Sequence, residues 1–358
     1  MKIDLSKIDL TMFMVSQHNI GGKNVFLIQP QHFGSKFNQE NKILRSSVWD
    51  SDGYPVSLGY PKFKNWGEDP ENFPVPSSLK GCSLVAKIDG SLLMSSVYRD
   101  NLVVRTRGTV DATELDNGFE IELLKEKYPS FFRPEEGVTY LAEWVSPINK
   151  IVIDYGPEPD LYLIGIVNHT DYSLMTQVKL DEKANSLGLK RPKYYNFDDV
   201  KDMLESVTAL KGEEGVCCYS KDGQNIWKVK ASEYLVKHRF KENATLEATI
   251  DLFCEFEYPT YQEFEKFLIE KFDYECFQMV QGFASRVCSA KKEVDLIIEK
   301  MKQYIVSIQI LSSRKEQAER IISSYGNTNR AGFVFHLLDG KILGKEAIKK
   351  LLWQVLKK

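Results

Sequence analysis

β-branched and aliphatic residues fill positions 83–88, 91–98 and 102–109, and the breaks between these runs are the turn formers Asp89-Gly90 and Arg99-Asp100-Asn101. The pattern predicts a strand that leads into a β-hairpin. A second strand pair, residues 43–50 and 54–58, surrounds Ser51-Asp52-Gly53. Residues 138–145, 151–153 and 161–167 read as further strands, the last two around a Gly-Pro turn. Two more β-like runs open at Glu213-Glu214-Gly215-Val216 and at Trp227-Lys228-Val229-Lys230. Helical spacing marks 117–127, which stops before Pro129, and 197–210, where Phe197, Val200, Met203, Leu204 and Val207 share one face. Residues 232–238 start another helix, and 68–80, with Pro70, Pro74 and Pro76, read as a surface loop. Residues 1–40 mix short apolar runs with polar turns, including Gly21-Gly22, and offer no candidate chemistry.

Near residue 243 the pattern changes. Segments 245–256, 260–272, 274–287, 291–310, 314–324, 331–338 and 345–357 all carry helical spacing, most clearly Val294, Ile297, Ile298, Met301, Ile305 and Ile308. The expected fold is therefore α+β: an antiparallel-sheet domain over residues 1–242, then an all-α C-terminal domain over 243–358. The basic residues of the tail (Lys291, Lys292, Lys300, Lys302, Arg314, Arg320, Lys349 and Lys350) read as a solvated face, with an RNA-docking patch as the sharper alternative.

The candidate chemistry lies in the first domain. Lys87 stands where a strand meets the Asp-Gly turn, a rigid place to hold one amine against a ligand. Taken alone, such a lysine is ordinarily a solvated side chain. Further along, Glu143 sits among apolar neighbours on a strand, Glu214 opens another, and Lys228 and Lys230 at period two point to one face. Lys87-Ile88-Asp89-Gly90-Ser91, Arg105-Thr106-Arg107-Gly108-Thr109, Glu143-Trp144-Val145-Ser146-Pro147, Glu214-Gly215-Val216 and Lys228-Val229-Lys230 follow in order. Across about residues 40–240 this series resembles the covalent nucleotidyltransferase superfamily, and most closely the phage-type ATP-dependent RNA ligase 1 family.

The resemblance implies a nucleotidyltransferase domain in which Lys87 attacks the α-phosphate of ATP and carries AMP covalently. AMP then passes to an RNA 5′-phosphate, and a 3′-hydroxyl displaces it to seal the strand. Covalent catalysis of this kind splits one difficult step into easier ones. The amine must first lose a proton, which nearby cations favour, and Lys228 and Lys230 also suit the charge that develops on the α-phosphate. By the same resemblance Arg45 and Lys62 contact the triphosphate, Arg107 matches a basic residue of the family that is often lysine, and Ile164 and Tyr234 match nucleotide-site positions. Ile164 reads first as plain core, ahead of that role. Glu143 and Glu214 supply hard oxygen ligands for Mg²⁺ or Mn²⁺, with ribose binding as the other implied role for Glu143.

Bulk properties change little. The net charge of −3 requires that any nucleic-acid site concentrate its basic residues locally. The six cysteines (Cys82, Cys217, Cys218, Cys254, Cys276 and Cys288) form no CxxC pair and histidine is scarce, so reduced thiols rather than a zinc site are expected. The first residues carry acids and no long apolar run, so neither a signal peptide nor a membrane span is expected. The expected partner is RNA with 5′-phosphate and 3′-hydroxyl ends, single-stranded or in a tRNA loop. The expected protein is a cytoplasmic monomer, in the host cytoplasm if a phage encodes it, and repair of tRNA is the role the family suggests.

Two alternatives remain. A DNA ligase or capping enzyme shares the core, but such proteins usually append an OB barrel, which reads as short alternating strands rather than helices. A non-catalytic RNA-binding protein that kept the fold has no evident reason to retain Lys87, Glu214 and Lys230.

Overall fold

A computed structural model describes the chain except residues 32–35, 116–117, 149, 243, 273 and 358. The predicted helix start at 117 and the predicted boundary residue 243 thus lie outside the described residues. The chain forms two compact units, Met1–Leu235 and Val236–Lys358.

In the first unit, β1 (Phe13–Ile20), β2 (Lys23–Pro30), β3 (Ser47–Asp50) and β4 (Pro55–Leu58) form an antiparallel meander. Next come β5 (Lys64–Asn65), β6 (Ser83–Lys87), β7 (Ser91–Tyr98), β8 (Asn101–Arg105), α1 (Phe119–Lys127), β9 (Val138–Val145) and β10 (Asp160–Asn168). The unit continues with α2 (Gln177–Leu187), β11 (Tyr194–Tyr195), α3 (Val200–Thr208), β12 (Gly215–Tyr219) and β13 (Ile226–Lys230). One sheet has the order β10-β9-β7-β8 and another the order β11-β6-β12-β13-β5. The pairing is antiparallel except between β13 and β5.

Strand alternation decides which side chains meet. Leu93, Tyr140, Ala142, Trp144, Leu161 and Leu163 face outward from the second sheet onto Ile121 and Leu124 of α1 and Leu180 and Ala184 of α2. Leu84, Val216, Cys218, Trp227 and Val229 of the third sheet pack on Met203 and Val207 of α3. The opposite faces meet in one core that contains Val85, Met94, Leu141, Cys217, Tyr219 and Ile226. By parity Lys87, Lys228, Lys230 and Glu143 belong to those inner faces, at the end where the apolar filling stops.

The second unit is helical. Helix α4 (Ser232–Glu242) runs across the unit boundary, followed by α5 (Leu246–Glu255), α6 (Tyr261–Lys271), α7 (Tyr274–Ile308), α8 (Arg314–Tyr325), α9 (Asn329–Leu338) and α10 (Lys345–Leu356). Helix α7 is the spine. Ile250, Phe253, Phe264, Leu268, Leu351 and Leu352 pack on Val280, Ala284, Val287 and Val294, and Ile321, Ala331 and Val334 pack on Met301, Ile305 and Ile308. Thr260 and Glu263 close a capping box at the start of α6, and Thr245, Ser313 and Thr328 cap three other helices.

Several predicted elements differ. Residues 274–287 and 291–310 are one helix, because Cys288-Ser289-Ala290 contains no breaker. The arm 102–109 leaves the sheet at Arg105, and residues 151–153 form no strand. The amides of Val152 and Ile153 donate to the Asp89 carboxylate instead of to a neighbouring strand. The hairpin of β1 and β2 was not legible; Gly21 and Gly22, at φ 57° and 78°, make its two-residue turn. Helix α2, amphipathic only weakly along its length, was also missed.

Candidate active site

Strands β6, β12 and β13 are adjacent, and their register sets Lys87 opposite Gly215 and Gly215 opposite Lys230. Glu214 precedes that glycine, and its carbonyl accepts from the Ala231 amide at 2.9 Å. Its carboxylate, 2 % exposed, spans the two lysines: Lys87 Nζ lies 2.7 Å from Oε2 and Lys230 Nζ 3.0 Å from Oε1. Glycine is needed beside it. Gly215 has φ 148°, and a Cβ there would stand 2.0 Å from the Val229 carbonyl oxygen. Burial alone would depress the Lys87 amine, but the charges of Glu214 and Glu143 outweigh it and hold the amine well above the ordinary lysine range.

Glu143 projects from β9 of the facing sheet and is partly buried. Burial pushes its pKa up to about 7, helped by Glu214 and Asp89 and opposed by Lys87 and a hydrogen bond from the Gly90 amide. Gly90 can approach so closely because it lacks a side chain: a Cβ would lie 2.3 Å from the Trp144 carbonyl oxygen. Asp89 is buried and organises the floor. It accepts from the amides of Val152 and Ile153 at 2.7 and 2.9 Å and from the Tyr234 hydroxyl at 2.8 Å. Its own amide donates to the Tyr155 hydroxyl at 2.9 Å.

The remaining wall is basic. Burial, Lys87, Lys230, Arg45 and Lys62 together lower the Lys228 pKa to about 8. Burial and the charge of Arg107 lower Arg45 to about 10, and burial, Arg45 and Arg107 also lower Lys62. Phe63 lies beneath two of these cations, 5.6 Å from Lys228 Nζ and 5.9 Å from the Arg45 guanidinium carbon. Lys62 sits 5.5 Å from the centre of the Phe37 ring. Like charges held this closely favour a polyanionic ligand.

Pairwise charge effects therefore link Lys87, Glu143, Glu214, Lys228, Lys230, Arg45, Lys62 and Arg107 into one connected set. Tyr234 is buried, with its hydroxyl committed to Asp89 and its ring 4.8 Å from Lys230 Nζ, so it braces the site from behind. Ile164 sits on a bulge of β10; its carbonyl accepts from the Tyr60 hydroxyl and its side chain packs partly on the core. The bracing role of Asp89, the Tyr155 contact and the Phe63 platform were not found from sequence. Asp89 stood within a quoted motif, but its donors lie far away in the chain.

Among the described residues no group of three or more His, Cys, Asp or Glu side chains could hold a metal by itself. The donor set still suits Mg²⁺ or Mn²⁺, because such ions commonly take one or two carboxylates plus phosphate oxygens and keep several waters. Glu143 and Glu214, whose charges act on each other, are the carboxylates available to such an ion. No described helix is long and apolar enough to cross a membrane.

The RNA ligase of Rhodothermus phage RM378 is 24% identical over 294 residues, which cover 63% of this chain and 66% of that protein. A protein of Autographa californica nuclear polyhedrosis virus named "Putative bifunctional polynucleotide kinase/RNA ligase" is 28% identical over 197 residues, 51% of this chain and 27% of its own length. The chain thus spans no more than about two thirds of the length of these relatives. Among solved structures, an archaeal ATP-dependent RNA ligase aligns with a TM-score of 0.45 at 13% identity, over 92% of this chain and 93% of that one. Residues 50–244, more than half of the chain and the part that holds Lys87, Glu143, Glu214, Lys228 and Lys230, match the RNA ligase family model RNA_lig_T4_1, so the protein belongs to the phage-type RNA ligase 1 family.

Proposed function

We propose that the protein is an ATP-dependent RNA ligase that joins 5′-phosphate and 3′-hydroxyl ends. The observation that carries this reading is the Glu214 carboxylate between Lys87 and Lys230, beside a group of cations (Lys228, Arg45, Lys62 and Arg107) that act on one another's charge. A polyphosphate matches that wall in charge, and Lys87 is the amine paired within it.

The first step forms a P–N bond between Lys87 Nζ and the α-phosphorus of ATP and breaks the P–O bond to pyrophosphate. Deprotonation of Lys87 is favoured by burial and opposed by Glu214 and Glu143, so relief of that pairing frees the amine. A divalent cation held by Glu143 and Glu214 would neutralise phosphate charge and compete with Lys87 for Glu214. Lys228 and Lys230 stabilise charge on the α-phosphate oxygens, while Arg45, Lys62 and Arg107 hold the departing pyrophosphate. In the second step the RNA 5′-phosphate oxygen attacks the same phosphorus and the P–N bond breaks. In the third, the RNA 3′-hydroxyl attacks the activated 5′-phosphorus, loses its proton and expels AMP.

We assign the choice among RNAs to the helical unit, whose Lys292, Lys300, Lys302, Arg320 and Lys350 are exposed. Cleaved tRNA loops are the first substrates to test. Lys300→Glu with Lys302→Glu should impair RNA joining and leave AMP loading intact.

Incubation with α-labelled ATP and Mg²⁺ or Mn²⁺ tests the central reading. Wild type should acquire acid-labile, base-stable AMP, and Lys87→Ala should acquire none. A wild-type protein that binds RNA but never takes up label would instead be a binding protein on this fold.

A further inference from the structure

Arg105 is fully buried, and no acidic side chain among the described residues pairs with it. All five hydrogen bonds of its guanidinium end on neutral oxygens. Nε donates to Ser57 Oγ at 2.8 Å, and Nη1 donates to Ser46 Oγ at 3.3 Å and to the Thr106 carbonyl at 3.0 Å. Nη2 donates to the carbonyls of Ser46 and Ser57 at 2.8 and 3.0 Å. Burial depresses the guanidinium to about 9, a mark of how unfavourable this placement is for a charge. An aliphatic side chain would fill the same space without that cost.

The oxygens it holds suggest why a charge is kept there. Ser46 follows Arg45, and Thr106 precedes Arg107. Ser46 sits at φ 60°, a left-handed conformation that residues other than glycine seldom hold unless their surroundings impose it. Its Oγ donates onward to the Arg107 carbonyl at 3.0 Å. A single guanidinium plane therefore grips the backbone beside both Arg45 and Arg107, and one hydroxyl links the two segments. Arg45 and Arg107 repel each other closely enough that the second lowers the pKa of the first. Without a brace, two such side chains on separate segments would spread apart.

We propose that Arg105 is a positioning residue, which holds Arg45 and Arg107 through Ser46 and Thr106 as a preformed clamp for the polyphosphate of ATP without touching the nucleotide. The inference rests on the ATP-dependent reading above. It separates the arginines of the Arg105-Thr106-Arg107 motif by role: Arg107 is exposed and free to meet a ligand, whereas Arg105 is buried and fixes where Arg107 stands. Lysine cannot replace Arg105 here, since a single ammonium has three donors and lacks the planar fork that spans Ser46, Ser57 and Thr106.

The test measures AMP loading from labelled ATP and reads the KM for ATP separately from the fraction of protein labelled at saturation. Arg105→Lys should raise KM about tenfold or more, because small displacements of a preformed clamp are costly, with the labelled fraction near wild type. Ser46→Ala removes the hydroxyl link and keeps the fold, and it should raise KM by a smaller factor. The double variant should be no worse than Arg105→Lys alone, since both changes cut one chain of contacts. An unchanged KM in Ser46→Ala and in any folded Arg105→Lys, with only the labelled fraction reduced, would make Arg105 an ordinary core brace and overturn the proposal. Should Arg105→Lys fail to fold, Ser46→Ala decides alone. Failure of the unmutated protein to load AMP removes the ATP reading itself, and that outcome is recognised before any variant is made.

Discussion

Lys87 Nζ donates to Glu214 Oε2 at 2.7 Å, so the candidate nucleophile is held as an ammonium by the carboxylate beside it. Glu214→Gln removes the acid that keeps the amine's proton affinity high and leaves burial, which acts the other way. The pH profile of AMP loading should therefore shift toward lower pH in Glu214→Gln. The maximal rate should fall by at least about tenfold, because the amine also loses its orientation. Single-turnover loading from pH 6 to 10 measures both effects, and a profile that stays in place would contradict the assigned pairing.

Glu143 carries a cost to stability that can be read directly. Its pKa is about 7 in the folded protein against an ordinary 4.5, so the folded state takes up a proton more readily than the unfolded chain. That contribution is fully present below about pH 4.5 and is lost as pH rises through about 7. Glu143→Gln should be more stable than wild type above pH 8, by about 3 kcal/mol, and no more stable near pH 4. Urea unfolding at the two pH values checks this, and AMP loading should fall sharply in the same variant.

Lys228, with a pKa near 8, is only partly charged in mildly alkaline solution. A bound phosphate favours its ammonium form and raises that pKa. Binding of a non-cleavable ATP analogue at pH 8.5 should thus take up a proton from buffer. Calorimetry in buffers of different ionisation enthalpy measures the uptake. It should disappear in Lys228→Arg, whose charge does not titrate in this range.

Gly215 sets the spacing of the Lys-Glu-Lys arrangement. Gly215→Ala forces a side chain onto the Val229 carbonyl at a backbone angle that alanine rarely adopts. The variant should lose about 2 kcal/mol or more of stability and load AMP poorly even at temperatures where it stays folded. Thermal unfolding with AMP loading at low temperature separates the two effects. Normal loading would show that the Lys87 and Lys230 spacing tolerates change.

The paired lysines at 228 and 230 were legible because a strand repeats every second residue, and a motif with that period identifies its own face. Lys87 was legible only through the ordered series of motifs that resembles the family, since a lysine at the end of a strand before Asp89-Gly90 is by itself ordinarily a solvated side chain. Residues 151–153 were misread because their apolar, β-branched character satisfies strand patterning, while the partner of their amides, Asp89, is more than sixty residues away. Tyr234 was matched to the nucleotide site by its position in the chain, and only the fold reveals that its hydroxyl is bound to Asp89.

Local chemistry along the chain determined the α+β division, the strand that carries Lys87 and the shared face of Lys228 and Lys230. Those features depend on periodicity and on neighbours a few residues apart. Tertiary structure alone decided that Glu214 would join Lys87 to Lys230, that Phe63 would underlie Arg45 and Lys228, and that buried Arg105 would tie Ser46 to Thr106. Each of these joins segments distant in the chain. Their meeting depends on strand register and on how closely glycines 90 and 215 let backbones approach, neither of which a one-dimensional pattern encodes.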